Sequence, residues 1–414
     1  MSNPQATPLA ERLSIVFYGL RNAGKSSLLN SFLGTSTAIV SAEPGTTTDP
    51  VTRPFELGAL GPVALTDTAG LDDEGELGQL RVQKSREKLM VCDVPVLVSR
   101  SDQPPSPLET DLWEELIAKK PAMTLVLTHS DLGFNPDKKT WAELRGGVSV
   151  NNLTGDGILE FRQLLQKKAE LAEREMSPLE GLVNENDFLI LVTPIDLAAP
   201  KGRLILPQVE TIRDVLDKDC ACLVVKEREL KGFYDRLGVK PKLVICDSQV
   251  FSKVASDIPE EQPLTSFSIV FARKKGDLGV YLDGIAALES IKPGAKVLVL
   301  EACAHHKQAD DIGTVKIPRL FHQLVQSRAV FEHKREIPDD EELKKYSLVV
   351  NCAGCMVSRN KMLTRIDRLK GLEVPVINYG LFLAWANGLL PRAVLPFPEA
   401  EVLVSRLSAR SSTT

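Results

Sequence analysis

The segment Gly19–Ser27, which follows the pattern Gly-x4-Gly-Lys-Ser, constrains the fold of this chain more than any other stretch. The apolar run Leu13–Tyr18 before it predicts a buried strand, and Leu28–Phe32 after it predicts a helix. A strand, a glycine-rich turn and a helix in this order build a loop whose backbone N–H groups converge on phosphate oxygens. The sequence therefore predicts a nucleotide-binding site within an α/β domain.

Side chains of this loop and of a later strand supply the charges that a bound nucleotide needs. Lys25 adds a positive charge to the β- and γ-phosphates, and Ser26 offers a hydroxyl to Mg²⁺. A strand ending in Asp67-Thr-Ala-Gly70 places an acid near the Mg²⁺ shell, and Gly70 turns its N–H to the γ-phosphate. The nucleotide contacts within the loop are assigned to Gly19, Asn22, Ala23, Gly24, Lys25, Ser26 and Ser27.

A threonine-rich loop, Gly45–Pro50, lies between these two segments. The order of phosphate loop, threonine loop and Asp-Thr-Ala-Gly is typical of a GTPase, in which Thr46 or Thr47 closes on Mg²⁺ when the γ-phosphate is present. Such a loop becomes ordered with the triphosphate and relaxes after hydrolysis. Hydrolysis is assigned to Lys25, Thr47, Asp67 and Gly70, with Mg²⁺ held by Ser26, Thr47 and Asp67.

The charge balance and the cysteine usage exclude several classes of protein. Lys and Arg number 50 against 55 Asp and Glu, a net charge of −5 over 414 residues, so neither a nucleic-acid nor a membrane surface is expected. No apolar run is long enough to span a bilayer, and the N-terminus lacks a signal-peptide core. Seven cysteines in so long a chain predict a reducing, cytoplasmic location rather than a disulfide scaffold.

The alternation of strands and helices predicts an α/β protein of three consecutive units. Residues 1–178 form a P-loop domain, 180–262 a small βαβ domain without a phosphate loop, and 263–414 a Rossmann-like domain with a parallel sheet. The middle unit carries no visible chemistry, so it is assigned to assembly. Within the third unit, Ser268–Ala272 is predicted to be a strand and Leu278–Ile291 a helix.

Three cysteines of the third unit are expected to meet in space although they lie far apart in sequence. Cys303 follows one predicted strand, and Cys352-x-x-Cys355 follows another, Ser347–Val350. The carboxyl ends of parallel strands share one edge of a sheet, where ligands collect. With His305 nearby, a structural zinc, a redox dithiol, an iron–sulfur cluster on three thiolates and plain buried cysteines are all open. The spacing favours zinc and cluster equally.

The N-terminal part of the chain, with its phosphate loop, threonine loop and Asp-Thr-Ala-Gly segment, resembles the Era/MnmE group of translation-factor-like GTPases. Asn22 in the phosphate loop and the Gly-Thr-Thr-x-Asp loop resemble the potassium-activated members, which implies a K⁺ ion held partly by Asn22. The residue after Asp-Thr-Ala-Gly is Leu71, where a glutamine would otherwise orient the attacking water. That absence fits cation-assisted hydrolysis.

Base recognition departs from the pattern of these GTPases. The strand Met123–Leu127 precedes Thr128-His129-Ser130-Asp131, where the family has Asn-Lys-x-Asp. Asp131 is retained to accept the guanine donors that adenine does not present. Asn151-Asn152 replaces the usual Ser-Ala of the last guanine loop. We expect GTP in preference to ATP, with weakened guanine selectivity.

The combination of this domain with a middle α/β unit and the three cysteines resembles the [FeFe]-hydrogenase maturation GTPase family over essentially the whole chain. The resemblance implies a K⁺-activated GTPase, a homodimer formed by the middle domain, and a [4Fe-4S] cluster on Cys303, Cys352 and Cys355. His305 is the first choice for the fourth ligand and Asp310 the second. The implied function is a scaffold that receives a diiron precursor, made with radical-SAM maturases, and passes it to the apo-[FeFe]-hydrogenase.

Two alternative functions stay open at this point. One is a GTPase of tRNA modification or ribosome assembly, as the Era/MnmE relatives are; the net charge of −5 and the lack of an RNA-binding module after the G domain argue against it. The other is a regulatory GTPase whose C-terminal domain holds a structural zinc or iron–sulfur centre and acts on another partner.

Overall fold

The computed structural model of the chain divides into two compact units, Met1–Glu175 and Met176–Thr414. The described residues are 12–34, 51–58, 61–73, 75–118, 120, 122–172, 176–194, 204–301, 311–325, 328–355, 357–399, 401–402 and 404–405. Five residues of the predicted sites lie outside them: Thr46, Thr47, Cys303, His305 and Asp310.

The described part of the first unit is built on a six-stranded sheet of order β2-β3-β1-β4-β5-β6, in which β2 is antiparallel to β3 and the other pairs are parallel. Its strands are β1 (Leu13–Tyr18), β2 (Val51–Glu56), β3 (Pro62–Asp67), β4 (Val94–Arg100), β5 (Thr124–Thr128) and β6 (Val148–Ser149). Its helices are α1 (Lys25–Gly34), α2 (Gly75–Val91), α3 (Pro107–Ile117), α4 (Pro136–Glu143) and α5 (Ile158–Ala172).

The central strand β1 explains why its sequence is a continuous apolar run. Ile15 and Phe17 pack into a core on one face of the sheet, and Val16 and Tyr18 pack into a second core on the other. Successive side chains of a strand point to opposite faces, and helices cover both faces here, so the last four positions, 15–18, are all buried. The strand predicted at Leu13–Tyr18 is confirmed with the same bounds.

The register of the sheet brings two distant segments together. Strands β1 and β3 are parallel, with Phe17 opposite Asp67. The chain therefore leaves both strands at the same edge of the sheet, which is where ligands of open α/β sheets bind. The glycine-rich loop after Tyr18 and the Asp-Thr-Ala-Gly segment consequently lie side by side.

The described part of the second unit contains two four-stranded sheets in which every pair is parallel. The first, of order β10-β9-β7-β8, consists of β7 (Phe188–Val192), β8 (Ala221–Val225), β9 (Leu243–Cys246) and β10 (Leu264–Ser266). The second, of order β12-β11-β13-β14, consists of β11 (Lys296–Leu300), β12 (Val330–Lys334), β13 (Tyr346–Asn351) and β14 (Val376–Asn378).

Helices accompany both of these sheets, and one hydrophobic cluster runs through the whole second unit. The helices are α6 (Leu206–Asp217), α7 (Leu230–Tyr234), α8 (Phe251–Asp257), α9 (Phe267–Lys275), α10 (Leu278–Ser290), α11 (Ile317–Leu324), α12 (Asp340–Leu343), α13 (Arg359–Gly371) and α14 (Tyr379–Ala386). A π-helical turn, Ile312–Lys316, precedes α11. The predicted fold class, a mixed α/β chain with parallel-sheet units, is confirmed; the three domain limits stay predictions.

One predicted element is wrong. Ser268–Ala272, predicted as a strand, lies within helix α9, and the strand of this region is the shorter β10. The Ser266 hydroxyl accepts a hydrogen bond from the Ile269 N–H, which caps and starts the helix. Helix α9 is buried all round, so it lacks the polar face that reveals a helix in a sequence.

Candidate functional sites

The phosphate loop lies between β1 and α1 and ends in a buried lysine. Lys25 is only 7% exposed, and its Nζ donates hydrogen bonds to the carbonyl oxygens of Gly19 at 3.1 Å and Leu20 at 2.7 Å. Desolvation lowers the pKa of Lys25, and the nearby carboxylates of Asp67, Asp72 and Asp73 oppose that shift. The loop thus holds its cation above its own backbone, within reach of an anion at the start of α1.

Gly24 is required at its position by conformation and by space. Its φ of +83° lies in the left-handed region, and a Cβ there would lie 3.2–3.3 Å from atoms of Asn152, His129 and Thr128. Asn22, the predicted K⁺ ligand, also has a positive φ, of 55°. The loop therefore winds tightly enough to turn several of its N–H groups toward one point.

Two of the three predicted Mg²⁺ residues, Ser26 and Asp67, meet at the edge of the sheet. The Ser26 hydroxyl donates a 2.5 Å hydrogen bond to Oδ2 of Asp67. The other carboxylate oxygen of Asp67, Oδ1, is buried and has no hydrogen-bond partner among the described residues. A hydroxyl and a carboxylate with a spare buried oxygen are the oxygen ligands that Mg²⁺ prefers, so the arrangement fits this cation.

The segment after Asp67 contacts the phosphate loop through its backbone and through two acids. The Leu71 N–H donates to the Gly19 carbonyl at 3.2 Å, and the Arg21 N–H donates to Oδ1 of Asp72 at 2.6 Å. The Arg21 side chain lies 3.3 Å from the Asp73 carboxylate. A movement of this segment from Gly70 onward would therefore break or shift these contacts with the phosphate loop.

The base-recognition loops are tied to the phosphate loop by side chains that differ from the usual ones. The Thr128 hydroxyl donates to the Ala23 carbonyl at 2.6 Å, and the Asn152 amide donates to the Gly24 carbonyl at 3.4 Å. Asp131 lies in the short helical turn Ser130–Leu132 with an exposed side chain, so its carboxylate is accessible to a base. Thr128 and Asn152 therefore join these two segments to the phosphate loop.

A buried ion pair supports this same edge from below. Lys138 Nζ lies 2.9 Å from Oε2 of Glu109, and the two side chains are 1% and 3% exposed. The Ser99 hydroxyl is within 2.6 Å of Lys138 Nζ and donates to Oε1 of Glu109 at 2.5 Å. Glu109 also closes a capping box with Ser106 at the start of α3. Strand β4, α3 and α4 are therefore joined by one polar cluster.

Cys352 and Cys355 lie at the carboxyl edge of the second sheet of the second unit. Cys352 directly follows β13, and its N–H donates to the Leu300 carbonyl at the end of β11, at 3.0 Å. Strands β11 and β13 are adjacent and parallel, as the prediction of a shared edge requires. Gly354 has a φ of +68°, and a Cβ there would lie 2.3 Å from Cε of Met362. The backbone between Cys352 and Cys355 is therefore closely folded against α13.

Polar side chains lie in the protein interior beside Cys352. Asn351 is fully buried, and Arg365 on α13 is 4% exposed. Arg365 Nη1 donates to Oδ1 of Asn351 at 3.3 Å, and Asn378 Nδ2 donates to the Cys352 carbonyl at 3.4 Å. Burial lowers the pKa of the Arg365 guanidinium, opposed most by the nearby Cys352. This polar group lies among the apolar side chains of the core of the second unit.

The described residues hold part of the predicted cluster site. They contain no group of three His, Cys, Asp or Glu side chains placed to bind one metal ion. Cys352 and Cys355 lie within three residues of each other on a closely folded loop, and thiolates are the ligands that iron–sulfur clusters take. The donor chemistry fits a cluster, and Cys303 and His305, which complete the predicted set, lie outside the described residues.

Family models match three consecutive parts of the chain. A model described as a 50S ribosome-binding GTPase matches residues 14–129. The hydrogen maturase F dimerization domain matches residues 179–276, and the hydrogen maturase F tetramerization domain matches residues 279–396. The chain belongs to the hydrogen maturase F family. The predicted resemblance to a hydrogenase maturation GTPase is confirmed, and both family domains are named for subunit assembly, which supports an oligomer.

Individual relatives match the GTPase part. The tRNA modification GTPase MnmE of Brucella anthropi is 30% identical over 217 residues, covering 49% of this chain and 46% of that protein. The MnmE of Granulibacter bethesdensis is 35% identical over 167 residues, covering 40% of this chain and 36% of that protein. Among solved structures, the G domain of the T. maritima FeoB iron transporter is 23% identical with a TM-score of 0.31, covering 38% of this chain and 99% of that one. The hydrogen maturase F chain thus spans less than half the length of these curated relatives.

A few residues of these sites escape sequence reasoning. In the sequence, Thr128 is noticeable only because it replaces the asparagine of the resembling GTPases. In the fold, its hydroxyl donates a hydrogen bond to the Ala23 carbonyl. Arg365 has no sequence signal, since a basic residue in a helix with many charges is normally exposed. The Ser106-x-x-Glu109 capping box can be recognised in the sequence, but the buried Lys138 that pairs with Glu109 cannot.

None of the helices that the structure describes is both long enough and apolar enough to cross a bilayer.

Proposed function

We propose that this hydrogen maturase F protein hydrolyses GTP and acts as a scaffold and carrier in the maturation of [FeFe]-hydrogenase. One observation carries the proposal. A P-loop GTPase domain and the two hydrogen maturase F domains occur in one chain, and Cys352-x-x-Cys355 lies at a ligand-binding edge of the last domain.

In the GTPase unit, the phosphate loop would cradle the nucleotide and Ser26 and Asp67 would hold Mg²⁺, joined by Thr47 in the triphosphate state. The uncommitted Oδ1 of Asp67 supports this assignment. Lys25 would neutralise the phosphate charge, and Asp131 would accept the guanine donors. Asn22 would help to hold a K⁺ ion. That ion would supply the positive charge that an arginine finger supplies in other GTPases.

In the last domain, Cys303, Cys352 and Cys355 would hold a [4Fe-4S] cluster, with His305 as the first choice for a fourth ligand. A cluster on three thiolates leaves one iron open to an exchangeable ligand, which suits the binding and release of a cargo. The cargo would be a diiron precursor made with radical-SAM maturases and destined for the apo-hydrogenase. GTP hydrolysis would then time the transfer, by favouring one conformational state over another.

The first experiment is anaerobic reconstitution with iron and sulfide, followed by EPR of the dithionite-reduced protein. We expect the signal of a reduced [4Fe-4S] cluster, lost when Cys303, Cys352 or Cys355 is replaced by Ala. A colourless protein containing one tightly bound zinc would reject the cluster assignment. In parallel, GTP hydrolysis is measured in K⁺ and in Na⁺; the proposal requires a faster rate in K⁺ that Asn22→Ala removes.

A second candidate function is supported by the relatives alone. Proteins named tRNA modification GTPases are 30–35% identical to this chain over 40–49% of its length. The matching part is the GTPase unit, which reports how a nucleotide is hydrolysed rather than which process uses it. Binding of tRNA that weakens steeply with salt would favour this candidate over the maturation function.

A further inference from the structure

Arg365 is a buried cation whose charge is left without a partner by the described residues. Its side chain is 4% exposed, yet the ion pairs formed by the described residues do not include it. Its single hydrogen bond there runs from Nη1 to the neutral Asn351 amide at 3.3 Å, and its Nε is buried without a partner. A guanidinium has five N–H donors and remains protonated in proteins. Burying one in this way is costly unless an anion compensates for it.

The surroundings of Arg365 point to where that anion lies. Burial lowers the pKa of Arg365, and the nearby groups that oppose this shift are Cys352 first, then Tyr281 and Glu336. Arg365 binds Asn351, the residue directly before Cys352, and Met362 of the same helix contacts Gly354 within the cysteine loop. Helix α13 begins at Arg359, four residues after Cys355. The loop and the helix that carries the cation are thus built as one local unit.

We propose that Arg365 provides the buried positive charge that compensates the negative charge of the iron–sulfur cluster held at Cys352 and Cys355. This inference rests on the cluster site proposed above. A [4Fe-4S] cluster on three thiolates carries a net negative charge in both of its usual oxidation states, and one-electron reduction makes the charge more negative. A fixed cation near the cluster would stabilise the reduced state more than the oxidised state, and net charge is one of the factors that set the potential of such clusters.

Two consequences follow for the protein itself. In the apoprotein the described residues give the buried cation only the neutral Asn351 amide as a partner, so its burial costs the second unit stability. Loading the cluster supplies the counter-charge, so part of the stabilisation on loading comes from Arg365. Removal of the cation should therefore lower the midpoint potential of the cluster and reduce the gain in melting temperature between apoprotein and loaded protein.

The test compares Arg365→Gln with Arg368→Gln in the full chain. Both remove one positive charge from α13, but Arg368 is one-third exposed and paired with Asp340 at 2.6 Å. The midpoint potential is measured by EPR-monitored redox titration of the reconstituted protein, and the melting temperature is measured before and after loading. We expect Arg365→Gln to favour the oxidised cluster about tenfold, about 59 mV toward negative potential for one electron. Arg368→Gln should match the wild type, since solvent screens its charge.

The outcomes separate this inference from the function on which it rests. A wild-type protein that binds no cluster rejects the proposed function itself. A wild-type cluster with equal potentials and equal gains in melting temperature in Arg365→Gln and Arg368→Gln overturns the role of Arg365. If Arg365→Gln does not fold, Arg365→Met and Arg365→Lys replace it. The inference then requires that Lys, which keeps the charge, stay nearer than Met to the wild-type potential; equal shifts would reject it.

Discussion

The buried pair of Lys138 and Glu109 allows a prediction whose size can be worked from the structure. In Lys138→Met, the Glu109 carboxylate stays 3% exposed and keeps only Ser99 and the Ser106 N–H as donors. Removing one partner of a buried, hydrogen-bonded ion pair costs about 3–5 kcal/mol of unfolding free energy, because the remaining charge is buried without compensation. We therefore expect Lys138→Met to destabilise the first unit by that amount.

The double variant distinguishes a charge effect from lost packing. With Glu109→Gln added, no charge is left buried, and Gln can still accept the hydrogen bond from Ser106 that starts α3. The double variant should therefore lose less than the sum of the single variants, by an interaction free energy on the order of 1–3 kcal/mol. Simple additivity would mean that the pair is not coupled in solution.

The assay is urea unfolding of the full chain followed by tryptophan fluorescence. Of the three tryptophans, Trp113 and Trp141 lie beside the pair, with ring centroids 6.3 Å apart. Their transition is fitted separately from that of the second unit, since a chain of two units need not unfold in one step. The matched control is Arg213→Met, which breaks an exposed pair with Asp217 and should leave the first transition unchanged. A loss below about 1 kcal/mol in Lys138→Met would refute the reasoning, because it would give the pair the value of a solvated surface contact.

Three further predictions concern the proposed sites. Lys25→Ala should abolish GTP turnover but leave the iron content of the reconstituted protein unchanged; a joint loss in turnover and iron assays would contradict separate sites in separate units. Asp67→Asn keeps an oxygen near Ser26 but removes the negative charge of the carboxylate, so the Mg²⁺ concentration for half-maximal hydrolysis should rise at least tenfold. An unchanged Mg²⁺ titration would exclude Asp67 as a ligand. Gly354→Ala places a Cβ 2.3 Å from Met362 at a φ of +68°, so the fraction of iron–sulfur cluster that stays bound through gel filtration should fall severalfold. Adding Met362→Ala removes the steric clash but not the backbone strain, so it should restore only part of the bound cluster. Full retention of the cluster in Gly354→Ala would show that the loop need not be so tightly folded.

Local sequence patterns predicted the first strand of the GTPase unit correctly because the signal for it lies in one contiguous segment. The strand Leu13–Tyr18 and the phosphate loop after it occupy one stretch of chain, and glycine spacing there translates directly into backbone geometry. Strand β13 and the Cys352 that follows it are readable for the same reason. The misplaced strand Ser268–Ala272 marks the limit, since an apolar run buried on all sides has no periodicity to separate helix from strand.

The sequence by itself determined the order of the key segments along this chain: a glycine-rich loop after a strand, an acid at the end of another strand, and a Cys-x-x-Cys pair that follows a third. The tertiary structure alone decided which of these share an environment. Parallel pairing placed Asp67 beside Ser26 and the end of β11 beside Cys352, and packing of α13 buried Arg365 against Asn351, the residue before that cysteine. The physical reason is that the free energy of a charge depends on its burial and its neighbours, and both are set by contacts between residues distant in sequence.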